Sequence, residues 1–141
     1  GTDIRDIGAD SVKALGVDMV SLDELLKRSD FVSLHCDLNP TSHHLIGREA
    51  LKKMKKNAVL LNLARGPVGD EKALIEGLLA GEIAGAALDV FELEPLYASS
   101  PLRDMDNVML APHNCNSSPR AWEAVHWSTV NQLLAALKAA S

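Results

Sequence analysis

Ala58-Val59-Leu60-Leu61-Asn62-Leu63-Ala64-Arg65-Gly66 is the stretch from which the rest of the chain can be read. Six of its first seven residues are apolar, and the run ends on an arginine followed at once by glycine. A short, continuous apolar run of this kind predicts a strand over 58–64, buried on both faces, whose carboxyl end opens into a loop. Open α/β sheets bind their ligands at that edge. An arginine delivered there can grip a carboxylate through two parallel hydrogen bonds. The competing reading is that Arg65 pairs with a surface acid.

Downstream, Asp70-Glu71 places acids in the first turn of a helix over 71–80, with Ala73, Leu74, Leu78 and Leu79 on one apolar face and Gly81 as its C′ residue. Gly85 to Val90 reads as a second buried strand, whose small residues suit the close approach of a helix. A loop with Glu92, Glu94 and Pro95 leads to a strand over Val108–Pro112, which ends in His113. Ser118 and Pro119 then supply a cap and an N1 proline for a long helix over 119–139. Upstream, Gly47 opens a helix to about Lys55, and Asp30 to His35 is a strand with 36–41 as its exit loop. Ser21 and Glu24 form a capping box for a helix ending at Lys27 or Arg28. A short helix over Ser11–Leu15 stops at Gly16 before a brief strand over Val17–Val20, and residues 1–5 read as a strand tail ending at Asp3. Strands alternating with helices imply an α/β fold, a mostly parallel sheet with helices on both faces.

Bulk properties narrow the function. The chain of 141 residues is one domain in size, 47% hydrophobic and 23% charged. A net charge of -5 with no basic stripe argues against nucleic acid, and no apolar run reaches membrane length. The densest basic run, Lys52, Lys53, Lys55 and Lys56, complements the dipole at a helix end. Cys36 and Cys115 lack metal-ligand spacing and read as reduced thiols, which predicts a cytoplasmic protein.

In a parallel sheet all carboxyl ends share one rim. Reading them off collects Asp3, His35, Cys36, Arg65, Asp89 with Glu94 just beyond, and His113. A histidine beside a carboxylate has its ring oriented and its imidazolium stabilised, so it can act as a general acid near neutral pH. With an arginine to hold a substrate carboxylate, these are the parts that protonate a carbonyl oxygen as hydride arrives. The hydride itself requires a cofactor. Against this, a lone strand-end histidine is more often structural, Asp89 can cap a loop, and Glu94 can be a solvated acid.

Three ordered motifs, Asn62 to Gly66 with Asp70 to Leu74, Gly85 to Pro95, and Asn107 to His113, resemble the D-isomer-specific 2-hydroxyacid dehydrogenases. Residues 21–26, 30–35 and 41–46 fit the same pattern. The family includes phosphoglycerate dehydrogenase, glyoxylate/hydroxypyruvate reductase and D-lactate dehydrogenase. The resemblance implies a Rossmann-like, doubly wound sheet, an NAD cofactor and a small 2-keto or 2-hydroxy acid substrate. It implies that Arg65 binds the substrate's carboxylate and carbonyl, that His113 is the acid/base and that Glu94 pairs with it. Asp89 matches the aspartate on the nicotinamide carboxamide, Ala64 lies at the nicotinamide end, and His35 and Cys36 stand on the cofactor side of the rim. Asp3 matches the acid on the adenosine ribose, which favours NAD over NADP, although Arg5 offers a phosphate a contact.

The sequence departs from the family in three places. The ribose acid follows the Gly-x-Gly-x-x-Gly loop by about 20 residues in this fold, yet here it is residue 3. The first strand, glycine loop and first helix are therefore expected to be absent, leaving 1–116 as the distal part of a cofactor domain and 117–141 as a helix leading toward a substrate domain. Pro67 and Gly69 stand where Gly and Val are usual, and Asn114-Cys115-Asn116 follows the histidine where small residues are usual.

The leading expectation is an NAD-dependent D-2-hydroxyacid dehydrogenase, homodimeric in its full-length parent, with this chain an inactive fragment of it. The alternative is an NAD-sensing interaction protein like the corepressors of the same fold family. A serine hydrolase is excluded because no Gly-x-Ser-x-Gly elbow exists. No metal is expected: adjacent histidines such as His43 and His44 rarely chelate together. Trp122 and Trp127 are expected to pack against a neighbouring domain or subunit.

Overall fold

In the computed structural model, which describes residues 1–139 (Ser11 by its backbone only), four strands form one all-parallel sheet in the order β1-β2-β3-β4. These are β1 (Phe31–Leu34), β2 (Val59–Asn62), β3 (Gly85–Leu88) and β4 (Val108–Leu110). Helix α1 (Ala9–Ala14) and α2 (Leu22–Arg28) precede β1; α3 (Arg48–Leu51), α4 (Glu71–Leu79) and α5 (Pro119–Ala139) complete the set. The register puts Leu34 beside Asn62, Asn62 beside Leu88, and Leu88 beside Leu110, so the carboxyl ends are level. That levelness is what makes the residues just beyond them neighbours.

The Ser21 cap and the Gly81 stop read from sequence are present, and Asp70, expected in the first turn of its helix, is the cap before it. Ser21 Oγ accepts from the Glu24 N–H at 3.2 Å, while Glu24's own carboxylate turns to Arg28 rather than closing the reciprocal half of the box. Asp70 Oδ1 accepts from the Ala73 N–H at 2.9 Å and starts α4, and Gly81 follows it with φ +67. Left-handed backbone is where glycine ends helices without strain.

Several elements differ from expectation. Residues 1–5 and 17–20 form no strands. They touch each other through Val20 N–H to Gly1 O at 2.9 Å and the Gly1 amino group to Asp18 O, but neither has a ladder partner, and a strand exists only by pairing. The other strands are shorter than read. The expected helix to Lys55 is a single α-helical turn, α3, continued by turns to Met54. Such a short helix has little dipole to complement, and Lys52, Lys53 and Lys55 pair instead with Glu49, Asp23 and Asp30.

One face of the sheet carries the core. Val32, Leu34, Leu60, Ala86 and Leu88 are buried with Leu26, Ile46, Leu51, Leu74 and Leu102. Each large aliphatic side chain removed from water contributes roughly 1.5–3 kcal/mol. The opposite face, with Ser33, Leu61, Ala87 and Met109 in register, is only half-buried or exposed, so β2 is fully buried on one face and not both. Two smaller corrections follow from packing. Leu79 is 72% exposed, and the buried face of α4 is Ala73, Leu74, Gly77 and Leu78. Gly85 is small because a Cβ there would press on the Asn107 carbonyl of the chain entering β4, not because a helix approaches.

Candidate active site

Beyond Asn62 the chain must turn, and Asn62 itself organises the turn. Its side chain, 3% exposed, accepts from the Ala64 N–H at 3.1 Å and donates to the Arg65 carbonyl at 3.0 Å. A buried amide is stable only with such partners. The one polar residue inside an apolar run was the available signal for this role, and it is not visible in spacing alone. The Arg65 side chain forms no ion pair with a surface acid among the described residues; Nη1 donates to its neighbour's carbonyl, Ala64 O, at 2.6 Å. Gly66, next in the chain, lies so close to the Phe91–Glu92 peptide that a Cβ would overlap it. This contact locks the loop after β2 to the loop after β3.

Directly past β3, Asp89 is 2% exposed. Its two carboxylate oxygens accept from the Asn114 and Cys115 N–H groups, both at 2.9 Å. Burial pushes the Asp89 carboxyl up, but the Cys115 and Asn114 N–H groups and the Cys115 thiol together outweigh it and hold the pKa below the usual value. The Cys115 thiol is pushed up, first by its hydrogen bond to Asp89, which the thiolate would lose, then by burial and by the like charge of the carboxylate. Asp89 thus anchors the turn that follows His113, whose own φ is +54, left-handed backbone that a non-glycine residue adopts only when its surroundings hold it.

His113 Nδ1 lies 2.8 Å from Glu94 Oε2. Glu94 is held below the ordinary carboxylate value, first by the hydrogen bond from His113, against burial, with help from the Phe91 N–H and from the charges of His113 and Arg65. An ionised carboxylate only accepts, so Nδ1 carries the proton and Nε2 is the atom left to exchange one. Arg65 is close enough for its charge to act on both Glu94 and Cys115. Arg65, Asp89, Glu94 and His113 therefore converge, as the shared rim predicts. An open cleft of about 570 Å³, flanked by Phe91, Glu94, Arg103, Leu110 and His113, lies alongside.

The remaining rim residues do not join this group. His35 Nε2 contacts Ser33 Oγ at 2.8 Å, and Cys36 is a half-buried free thiol. Asp3 is exposed and clasped by Arg5 through its N–H at 2.8 Å and its Nε at 3.1 Å, which draws the Asp3 carboxyl down to about 2. Arg5 is thereby engaged with Asp3, leaving the acid ionised for a hydroxyl donor. Open strand ends and an ionised carboxylate at Asp3 suit a dinucleotide's hydroxyl donors, whereas the Ala64 N–H and carbonyl are already engaged by Asn62 and Arg65.

Sequence reasoning also missed a second cluster. His43 and His44 stack at 4.0 Å between ring centroids, yet only His44 reaches acids. Its Nε2 is 2.7 Å from Glu92 Oε1 and its Nδ1 3.9 Å from Asp70 Oδ2. Three separate loops supply these residues, so no local pattern could have revealed it. One ligand atom from each lies within 4.8 Å of the others, close enough to hold a cation as well as a proton.

Known proteins resemble this chain over most of its length. Residues 2–115 match the D-isomer specific 2-hydroxyacid dehydrogenase, NAD binding domain. A glyoxylate reductase of Korarchaeum cryptofilum is 51% identical over 109 residues, covering 77% of this chain and 33% of that protein. The D-3-phosphoglycerate dehydrogenase of Methanocaldococcus jannaschii is 45% identical over 127 residues, 89% of this chain and 24% of that one. Among solved structures, a glyoxylate reductase from Paecilomyes thermophila superposes with a TM-score of 0.86 at 35% identity, over 96% of this chain and 40% of its own. The chain spans about a third or less of the length of these two curated relatives.

Proposed function

The chain belongs to the D-isomer specific 2-hydroxyacid dehydrogenases through their NAD-binding domain, and from that membership we propose that the whole protein interconverts a small 2-keto acid and its D-2-hydroxy acid. The observation that carries the proposal is the 2.8 Å contact of His113 with Glu94, in a turn tied down by Asp89 and within reach of the Arg65 charge.

In this reading Arg65 holds the substrate carboxylate and draws electron density from the adjacent carbonyl. His113 gives a proton from Nε2 to the carbonyl oxygen during reduction and takes it back during oxidation. Glu94 keeps the ring in the tautomer that leaves Nε2 for this exchange and offsets the imidazolium charge. Asp3, His35, Cys36, Ala64 and Asp89 line the cofactor side. Bound NAD(H) would supply or accept the hydride. The ionised Asp3 carboxylate, which can accept from a ribose hydroxyl, supports NAD over NADP.

We further read residues 1–116 as the distal part of the cofactor domain and 117–141 as the helix toward a substrate domain, in a homodimeric cytoplasmic enzyme. The isolated chain is catalytically inactive in this account. Replacing His113 by Ala in the whole protein is expected to lower kcat by about 10²–10⁴-fold, the usual contribution of a positioned acid/base. Glyoxylate and hydroxypyruvate with NADH are the assay pair. Near-normal turnover would remove His113 from the mechanism.

A further inference from the structure

The mechanism above makes no use of the His44 cluster, yet that cluster sits where the two catalytic loops meet. Pro67 is two residues from Arg65, and Glu92 two from Glu94. His44 binds both loops at once. Its N–H donates to Pro67 O at 2.8 Å, and its Nε2 donates to Glu92 Oε1 at 2.7 Å. The neighbouring backbone continues the first attachment: Ile46 N–H bonds to Val68 O and Asp70 N–H to Ile46 O, both at 3.1 Å. The second is reinforced by exchange between Glu71 and Glu92, each N–H donating to the other's carboxylate at 3.1 Å.

The charge balance makes the histidine's proton matter. Asp70 and Glu92 converge on it, Glu71 packs against Glu92, and among the described residues no lysine or arginine forms an ion pair with any of the three. Burial, with the Glu92 charge adding to it against the hydrogen bond from Glu92's N–H, pushes the Glu71 carboxyl up. His44 holds this position at φ +52, a left-handed conformation costly for a non-glycine residue. A hydrogen-bonded proton joins Nε2 to Glu92 Oε1.

We propose that His44 is a positioning residue: by bridging Pro67 and Glu92 it fixes the Arg65 loop against the Glu94 loop, and so sets where the substrate carboxylate is held relative to His113. This rests on the dehydrogenase reading. Without His44 the Asp70 and Glu92 carboxylates lose the imidazole that stands between them, and their repulsion parts the loops. Displacement of a gripping group by about 1 Å can cost as much as 10²-fold in rate. Arg65 meets the substrate and not the adenosine end of the cofactor, so the effect falls on the keto acid.

Steady-state kinetics of the whole protein test this. His44→Ala is expected to raise KM for the keto acid about tenfold, with KM for NADH unchanged. His44→Gln, whose amide can donate to Glu92 in place of Nε2, is expected to restore most of it. Glu92→Ala removes the same contact from the other side and serves if His44→Ala does not fold. Its effect and that of His44→Ala should be strongly non-additive in the double variant. A fall in melting temperature with keto-acid KM unmoved in both alanine variants would overturn the proposal, as would failure of His44→Gln to differ from His44→Ala. Arg65→Ala separates the levels. If it leaves the kinetics intact, the dehydrogenase assignment fails. If it abolishes activity while the His44 and Glu92 variants behave as wild type, only the positioning role fails.

Discussion

At the scale of single residues the site is governed by how carboxylates are occupied. Asp89 and Glu94 are both held in the ionised form, but for different reasons. Glu94 is fixed chiefly by the His113 ring; Asp89 is fixed against strong burial by backbone N–H groups. Asp89→Asn tests the second arrangement, because an amide nitrogen placed against the Asn114 or Cys115 N–H leaves two donors facing each other. Hydrogen bonds to a buried charge are worth about 1.5–3 kcal/mol, so urea unfolding at neutral pH should show a loss of about 3 kcal/mol. The pH dependence has a definite sign. A carboxylate whose folded pKa is lowered stabilises the fold above its unfolded value, near 3.9, and that contribution disappears as pH falls through the folded value. The stability gap between wild type and Asp89→Asn should therefore be constant from pH 5 to 7 and narrow below about pH 4. A gap independent of pH would mean that Asp89 is not charged in the fold. The sequence identified Asp89, Glu94 and His113 by position at strand ends. It could not show that both Asp89 oxygens are taken by the turn after His113, since that depends on contacts between residues 25 and 26 positions apart.

At the scale of elements, the loop after β2 and the loop after β3 behave as one unit, and Gly66 is where they touch. Its missing Cβ accommodates the Phe91–Glu92 peptide, a backbone neighbour that cannot rotate away. Gly69, three residues on, has no atom closer than 3.9 Å to a Cβ built there and ordinary backbone, φ -96. The two glycines make a matched pair. Gly66→Ala is expected to destabilise by about 3 kcal/mol or more, at the upper end of overpacking effects, and to raise keto-acid KM by shifting Arg65. Gly69→Ala is expected to stay within about 0.5 kcal/mol of wild type. Equal effects in denaturant titrations would show that the Gly66 contact is not what joins the loops. Much of this level was legible in advance. Capping residues Ser21 and Ser118 each accept the expected N–H, because capping is decided within three residues of sequence, while Asp70, expected inside the first turn, is itself the cap of α4. The strands stop short of their apolar runs, and Leu79 faces solvent and not the core, because burial is set by what packs nearby and not by apolar character alone.

At the scale of the whole molecule, what the sequence could not settle lies at the two ends. Residues 1–20 hold Asp3 but no strand, since a strand's hydrogen bonds require a neighbour that no described residue supplies. Helix α5 runs for 21 residues without a buried one, and Trp122, Trp127, Leu133 and Leu137 are each at least half exposed. Cofactor affinity is divided in the same way. In the proposed reading Asp3, Ala64 and Asp89 would meet the ribose and nicotinamide portions, but a dinucleotide's pyrophosphate is normally held by N–H groups at a glycine-rich helix N-terminus. No Gly-x-Gly-x-x-Gly occurs in these 141 residues. Titration of NADH into this 141-residue chain by calorimetry should therefore give no saturable heat up to about 100 μM, because the most highly charged part of the ligand has no cradle. The whole protein should bind under the same conditions. Micromolar binding by the chain alone would mean that the ribose and nicotinamide contacts suffice, or that a second copy contributes donors. A concentration-dependent sedimentation coefficient would separate those two cases, and an exposed α5 face is where such a copy would have the most apolar surface to cover.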